Sequence, residues 1–470
     1  MSKRTKIIFI VALLLAGIFI KCYYISYTET WERQHDVISF GADEGHAAYI
    51  EYLLNNRHLP DFDPREKWAF FQPPLHHIVS AFTIYASKKF GATEHRAQEN
   101  TQVVTCFYMI MMTLAATCIF LRTKGLSKLF SKNGASKLTT EGYIVLLSIV
   151  ALHPMYILLS GSINNDGLAL ILSVIALMIS VRWFDKPGYA ETVLLALTIG
   201  LAMAAKMISG LIAVPIGILM FMRIFGFDDR YVSASNSKIT IGDRINLFIK
   251  KYFAKCVVFA IIVFPLGLGF SIYNKIKWNV PVNYIPPVGE NFPDDLSLST
   301  RIFDIKPGLS KVYTYLTTRG DAFDEYNIPL AMVKTALFSE YSFEGVSRWM
   351  KPLTLILFVS SVILMIYAFY ATIYMVFSKK SKLNTKWKIV LFGTYISYFV
   401  AYILFAQQYR NFSAQDFRYG AICIFCEGIF AGIYTDTLKN KKVKNVITAI
   451  AVVFAVSAFL TYALLGFKSK

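Results

Sequence analysis

Charge is what this chain has least of. Of its 470 residues 17% are charged, against about a quarter in a typical soluble domain, while 55% are apolar and the mean hydropathy is +0.48. That deficit excludes an ordinary soluble globule. Cysteine is sparse too. Cys22, Cys106, Cys118, Cys256, Cys423 and Cys426 all fall in or beside apolar runs, so no disulfide framework is written into the chain. Cys423-x-x-Cys426 has redox or metal spacing but lies inside a continuous hydrophobic stretch, where cysteine acts as a small packing residue. Acidic residues number 30 against 48 basic ones, a net charge of +18. The excess does not point to nucleic acid, because most of the Lys and Arg sit in short loops between apolar runs, where they set membrane orientation. No internal repeat is visible, which disfavours a transporter built from inverted repeats.

What the chain does have is long runs of uncharged apolar residues. In lipid every backbone polar group needs an internal partner, so runs of about 20 such residues are helices. The expected class is an all-α polytopic membrane protein, with 1–470 one integral membrane domain. The first span is expected at 6–27. Lys3-Arg4-Thr5-Lys6 before Ile7 to Ile20 imitates a signal peptide, but no small-residue cleavage site follows, so a retained span is expected. Further spans are expected at 100–121, 142–160, 167–184, 189–205, 207–224, 252–272, 351–377, 387–406, 419–436 and 445–466, about eleven in all. Lys3, Arg4 and Lys6 hold the N-terminus in the cytoplasm. The loop 122–140 carries Arg122, Lys124, Lys128, Lys132 and Lys137, and 225–251 carries Arg230, Lys238, Arg244, Lys250 and Lys251; both are expected inside. To keep the first of them there, the short run 75–90 must lie in the interface rather than cross. Two extracytoplasmic segments result: 28–99, with amphipathic helices, and 274–350, with scattered prolines and short helices.

Under this topology four polar groups share the outer face: Asp43/Glu44/His46, Asn164-Asn165-Asp166, Lys206, and Gln415 to Tyr419. Ionisable groups beside a membrane are costly and normally face a cavity. Asp43 is placed to cap the helix that follows it, and the free N–H groups there would hold it ionised, as a general base requires. His35-Asp36 is a second candidate pair for that base. Each group also has a plainer structural use. Asp43 and Asp166 can serve as caps, Lys206 can snorkel between two helices, and Arg418 can pair with Asp416. The functional uses are a point charge for phosphate at Lys206 and bidentate phosphate binding at Arg418. His76-His77 is read as structural, since neighbouring residues do not face the same way on a helix.

At these residues the chain resembles the GT-C-fold glycosyltransferases, near the protein O-mannosyltransferases of glycosyltransferase family 39. The resemblance rests on Asp43-Glu44-x-His46 followed by Phe71-Gln72-Pro73-Pro74-Leu75, on Ser160 to Asp166 opening a span, and on Arg418-Tyr419 near the start of a late one. Gln72 stands where family members often have histidine. The resemblance implies transfer of a sugar from a polyprenyl-phosphate carrier to a glycan, lipid or protein acceptor at the extracytoplasmic face, in the plasma membrane of a bacterium. It implies Asp43 as the catalytic base with Glu44 beside it. His46, Asn165, Asp166, Lys206, Arg418, Tyr419 and Arg96 are the expected substrate and phosphate contacts. No metal ligand set is expected, although these carboxylates are of a kind that can hold a divalent cation. Membrane lipid is the expected surrounding, and nucleic acid is not a partner. The alternatives are a glycolipid flippase and a non-catalytic assembly subunit.

Overall fold

The computed structural model describes residues 3–33, 36–123, 140–225, 240–293, 296–309, 311–312, 318–319, 322–343 and 346–467. His35, Lys124, Lys128, Lys132, Lys137, Arg230 and Lys238 lie outside the described residues. The helices in the first half are α1 (Lys3–Tyr27), α2 (Gly45–Asn56), α3 (Leu75–Lys89), α4 (Glu94–Glu99), α5 (Thr101–Thr123), α6 (Thr140–Val150), α7 (Pro154–Gly161), α8 (Asp166–Asp185) and α9 (Tyr189–Ala205). A 3-10 segment, Met207–Ile212, leads into α10 (Ala213–Ile224). Then come α11 (Ile241–Leu247), α12 (Phe253–Trp278), α13 (Leu298–Phe303), α14 (Ile328–Phe338), α15 (Met350–Phe377), α16 (Thr385–Gln408), α17 (Ala421–Thr437) and α18 (Lys441–Gly466). Among the described residues the strands amount to one small antiparallel pair, Thr318 opposite Phe323 and Arg319 opposite Ala322.

Among the described residues nine helices are long and apolar enough to cross a membrane, and the bent α6–α7 pair makes ten. The eleventh expected span, α9, has 17 residues. At 1.5 Å per residue that is about 25 Å, less than the ~30 Å of a hydrocarbon core. Lys206 at its end nonetheless pairs with Asp166 at the start of α8, so α9 returns along α8, and about eleven expected spans compare with nine or ten helices of spanning length among the described residues.

The expected straight span 142–160 is two helices meeting at 45°. Pro154 has no N–H to donate and pushes the residue before it out of the helical region. His153 is accordingly extended, at φ −67° and ψ 129°, and caps α7 by accepting the Met155 N–H. The break is supported from α1, where buried Lys21 donates to the Ala151 carbonyl and, at 3.2 Å, to that of Gly17. A Cβ on Gly17 would lie 2.8 Å from the Ala151 oxygen, so the close approach of the two backbones requires glycine. A buried ammonium would otherwise be costly, and two carbonyl acceptors meet that cost.

The segment between α1 and α5 has a small core of its own, built from Val37, Ala47, Ile50, Leu53, Phe70 and Ile84 among others. Along α3, His76, His77, Ser80, Ala81 and Ile84 are buried. The opposite face leaves Ile78, Phe82 and Tyr85 exposed, with Lys88 and Lys89 in the last turn. An outward apolar row ending in lysines suits a helix lying at a lipid interface.

Candidate active site

The site is assembled from four places in the chain, and the first is the loop before α2. Arg33, Asp36 and Ile38 have φ of 55°, 55° and 53°, in the left-handed region that non-glycine residues enter at a cost of roughly 1–2 kcal/mol each. What holds this loop is the start of α2. The His46 N–H donates to the Asp36 carbonyl at 2.8 Å and the Ala47 N–H to the Val37 carbonyl at 3.1 Å. The orphan donors of the first helical turn are thus spent on positioning Asp36. The capping role expected of Asp43 is corrected by this arrangement. Glu44 occupies the cap position, makes no side-chain cap bond, and is exposed together with Asp43.

Gly45 makes the junction possible. Its φ is +94°, and a Cβ there would lie 2.6 Å from the Val37 carbonyl oxygen. Gly45→Ala is expected to cost about 1–3 kcal/mol of stability, a backbone-strain effect. A lowered midpoint of thermal unfolding would register it, with a larger loss of activity because Asp36 is displaced.

The second place is the start of α8, where Asp166 is the first helical residue and its N–H donates to Asn164 Oδ1 at 3.1 Å. Asn165 donates to the Ala205 carbonyl at 2.8 Å and to Gln72 Oε1 at 3.3 Å, tying α8 to the end of α9 and to the turn before α3. The third is Lys206, which ends α9 in extended conformation and pairs with Asp166 Oδ1. The fourth is the 3-10 turn Phe417–Gly420, capped when Asp416 Oδ1 accepts the Arg418 N–H at 2.7 Å. Asp416 therefore serves the Arg418 backbone, and the guanidinium is directed elsewhere.

The four places converge. Arg418 Nη2 lies 2.9 Å from Asp36 Oδ2 and 3.0 Å from the Tyr419 hydroxyl, and Nη1 lies 3.9 Å from Asp166 Oδ2. Lys206 Nζ sits 5.1 Å from the centre of the Tyr419 ring, a cation–π contact. Two cations and two carboxylates alternate across residues 36, 418, 166 and 206. They are not equally accessible. The side chains of Arg418 and Asp166 are 4% and 6% exposed and that of Lys206 13%, whereas that of Asp36 is 35% exposed. Asp36, Lys206, Arg418, Tyr419 and Gln72 line a cavity of about 590 Å³. Its other walls are aromatic and proline-rich, with Trp68, Phe71, Tyr284, Phe405, Tyr409 and the Pro286-Pro287 pair.

The chain matches no known family model and no curated protein. Solved structures that are similar in fold include two crystal structures of ArnT from Cupriavidus metallidurans. The apo form is 14% identical with a TM-score of 0.39, over 100% of this chain and 78% of that one. The form bound to undecaprenyl phosphate is 13% identical with a TM-score of 0.36, over 95% and 77%.

Of the residues singled out in the sequence, the structure brings Asp36, Asp166, Lys206, Arg418 and Tyr419 together, with Asn165 bracing them. Asp43 and Glu44 are not in the cavity wall. Arg96 is exposed on α4 and does not line it either. His46 is buried behind the loop, its Nδ1 2.8 Å from His77 Nε2, and supports Asp36 through its backbone. His76 Nε2 meets the Ile163 carbonyl at 2.9 Å, so these histidines join the segment between α1 and α5 to the start of α8. Glu29, His95 and Glu99 bring ligand atoms within 4.8 Å of one another, but none of the three lines the cavity.

Burial pushes His46 down to about 3 and His76 down to about 4, and lowers His77 well below its usual range. The folded state thus binds these protons less tightly than the unfolded chain. The stabilisation is complete above pH 6.5 and is lost as pH falls from there toward 4, by up to about 1.4 kcal/mol per unit for each histidine. Thermal unfolding between pH 7.5 and pH 5, followed on Trp31 and Trp68 of this segment, is expected to show a falling midpoint. A His46→Phe/His77→Phe double variant should flatten that dependence.

Proposed function

We propose that the protein is a membrane glycosyltransferase that takes a sugar from a polyprenyl-phosphate carrier and acts at the extracytoplasmic face. The observation that carries this reading is the Asp36–Arg418–Asp166–Lys206 network at the wall of a large aromatic-lined cavity. The GT-C resemblance of the sequence supplies the reaction class.

Asp36 is the base in this scheme, in place of Asp43. It is the accessible carboxylate of the network, and Asp166 is held between two cations. Asp36 accepts the proton of the acceptor hydroxyl as that oxygen bonds to the anomeric carbon. The bond from that carbon to the phosphate oxygen breaks, and the leaving lipid phosphate carries away the electron pair. Developing charge on that oxygen is where fixed cations contribute most. Arg418 is oriented by its backbone and by Tyr419, Lys206 by Asp166, so both are set in place before substrate arrives. Gln72 and Asn165 position the wall against which the sugar would rest. The apolar remainder of the cavity suits the first isoprene units of a carrier.

Purified protein supplied with a polyprenyl-phosphate sugar and a membrane extract containing acceptor should release free polyprenyl phosphate, and Lys206→Ala should cut that release at least tenfold. Release that is unchanged in Lys206→Ala would remove the lysine from the phosphate site.

A further inference from the structure

A second cavity, of about 270 Å³, lies inside the helix bundle, walled by α14, α15, α16, α17, α18 and the α6–α7 break. The turn before α17 separates it from the first: Phe417 lines this cavity, while Arg418 and Tyr419 line the other. The walls are apolar except for Ser361, His153, Tyr395 and Glu427. Ile366 and Phe369, also in the wall, are exposed on the outside of α15, so the cavity opens sideways toward lipid.

Glu427 is the seventh residue of α17, about 9 Å along the axis from the helix start at a 1.5 Å rise. Tyr395 lines the same cavity, and no Lys or Arg is in the cavity wall. A carboxyl group at such a depth is costly and normally marks a ligand or ion path. His153 supplies the complementary group. Its Nδ1 accepts the Met155 N–H at 3.2 Å, which places the ring proton on Nε2 and makes that nitrogen a donor. The cavity thus offers one strong acceptor and one donor within apolar walls.

We propose that this cavity binds a lipid alcohol, an uncharged amphiphile whose polar end is a hydroxyl group. A hydroxyl can both donate, as Glu427 requires, and accept, as His153 requires, and its hydrocarbon part fills the rest of the cavity. A protonated amine has no lone pair for His153, and an alkane satisfies neither group. The site is independent of the transfer reaction and of the residues assigned to it.

The test uses the purified full chain in detergent with a long-chain alcohol bearing a photoreactive diazirine, followed by peptide mass analysis. Labelling is expected on α15 and α17 near Met365 and Glu427. It should be competed by 1-decanol at concentrations at least tenfold below those of decane or decylamine, and Glu427→Leu should abolish the advantage of the alcohol. Labelling spread evenly over the lipid-facing helices, or competed equally by decane, overturns the proposal. If Glu427→Leu does not fold, the competition series on the unaltered protein decides alone.

Discussion

Asp36→Asn is expected to lower sugar transfer by about 10²- to 10⁴-fold, the range a positioned general base supplies, while the protein still inserts and folds, with a lower melting temperature because buried Arg418 loses its nearest counter-charge. Asparagine matches aspartate in shape and can still accept from Arg418 at the 2.9 Å now seen. It cannot hold a proton taken from an acceptor hydroxyl. The same change carries a second readout. Asp36 and a lipid phosphate are both anions competing for Arg418, so removing the carboxylate should tighten binding of polyprenyl phosphate even as turnover collapses. Loss of turnover with weaker binding would mean that Asp36 is needed only to place the arginine. Asp43→Asn, at an exposed position outside the cavity wall, is expected to retain near-normal activity.

Arg418→Ala should cost both stability and activity. The guanidinium is almost fully buried and faces the carboxylates of Asp36 and Asp166. Removing one partner from a buried set leaves uncompensated charge, typically about 3–5 kcal/mol. Transfer should fall by at least about 10³-fold, because the leaving phosphate loses its main fixed cation. Arg418→Lys separates the two effects. It keeps the charge and so most of the stability, but a point charge cannot reach Asp36, Tyr419 and a phosphate together in the way a planar fork can. The lysine variant should therefore fold and remain at least tenfold slow. Equal losses in both variants, in melting temperature and in rate alike, would make Arg418 a purely structural residue.

Much of this architecture was legible in the sequence because lipid leaves few options. A run of uncharged apolar residues becomes a helix, and lysines at its ends mark where it stops. The interfacial placement of 75–90 rests on loop charge, and α3 carries an outward apolar row that suits it. The grouping of Asp166, Lys206 and Arg418 followed from their sharing one end of the bundle. What the sequence concealed is local. The bend at His153-Pro154 depends on Lys21, more than a hundred residues away, taking up a freed carbonyl. That Asp36 and not Asp43 lines the cavity depends on three left-handed backbone angles and on Gly45. These fold the loop back so that the start of α2 holds the carbonyl of residue 36 and leaves residue 43 in solvent. No spacing rule distinguishes those two carboxylates, since both lie just ahead of the same helix.

The central claim is that the protein consumes a polyprenyl-phosphate sugar. Mass analysis of lipid-linked sugars and envelope glycans in cells with and without the gene tests it most directly. Loss of the gene should raise one polyprenyl-phosphate sugar and remove one glycan modification, and the Asp36→Asn gene should fail to reverse either change. Unaltered pools of both in the deleted strain would contradict the account.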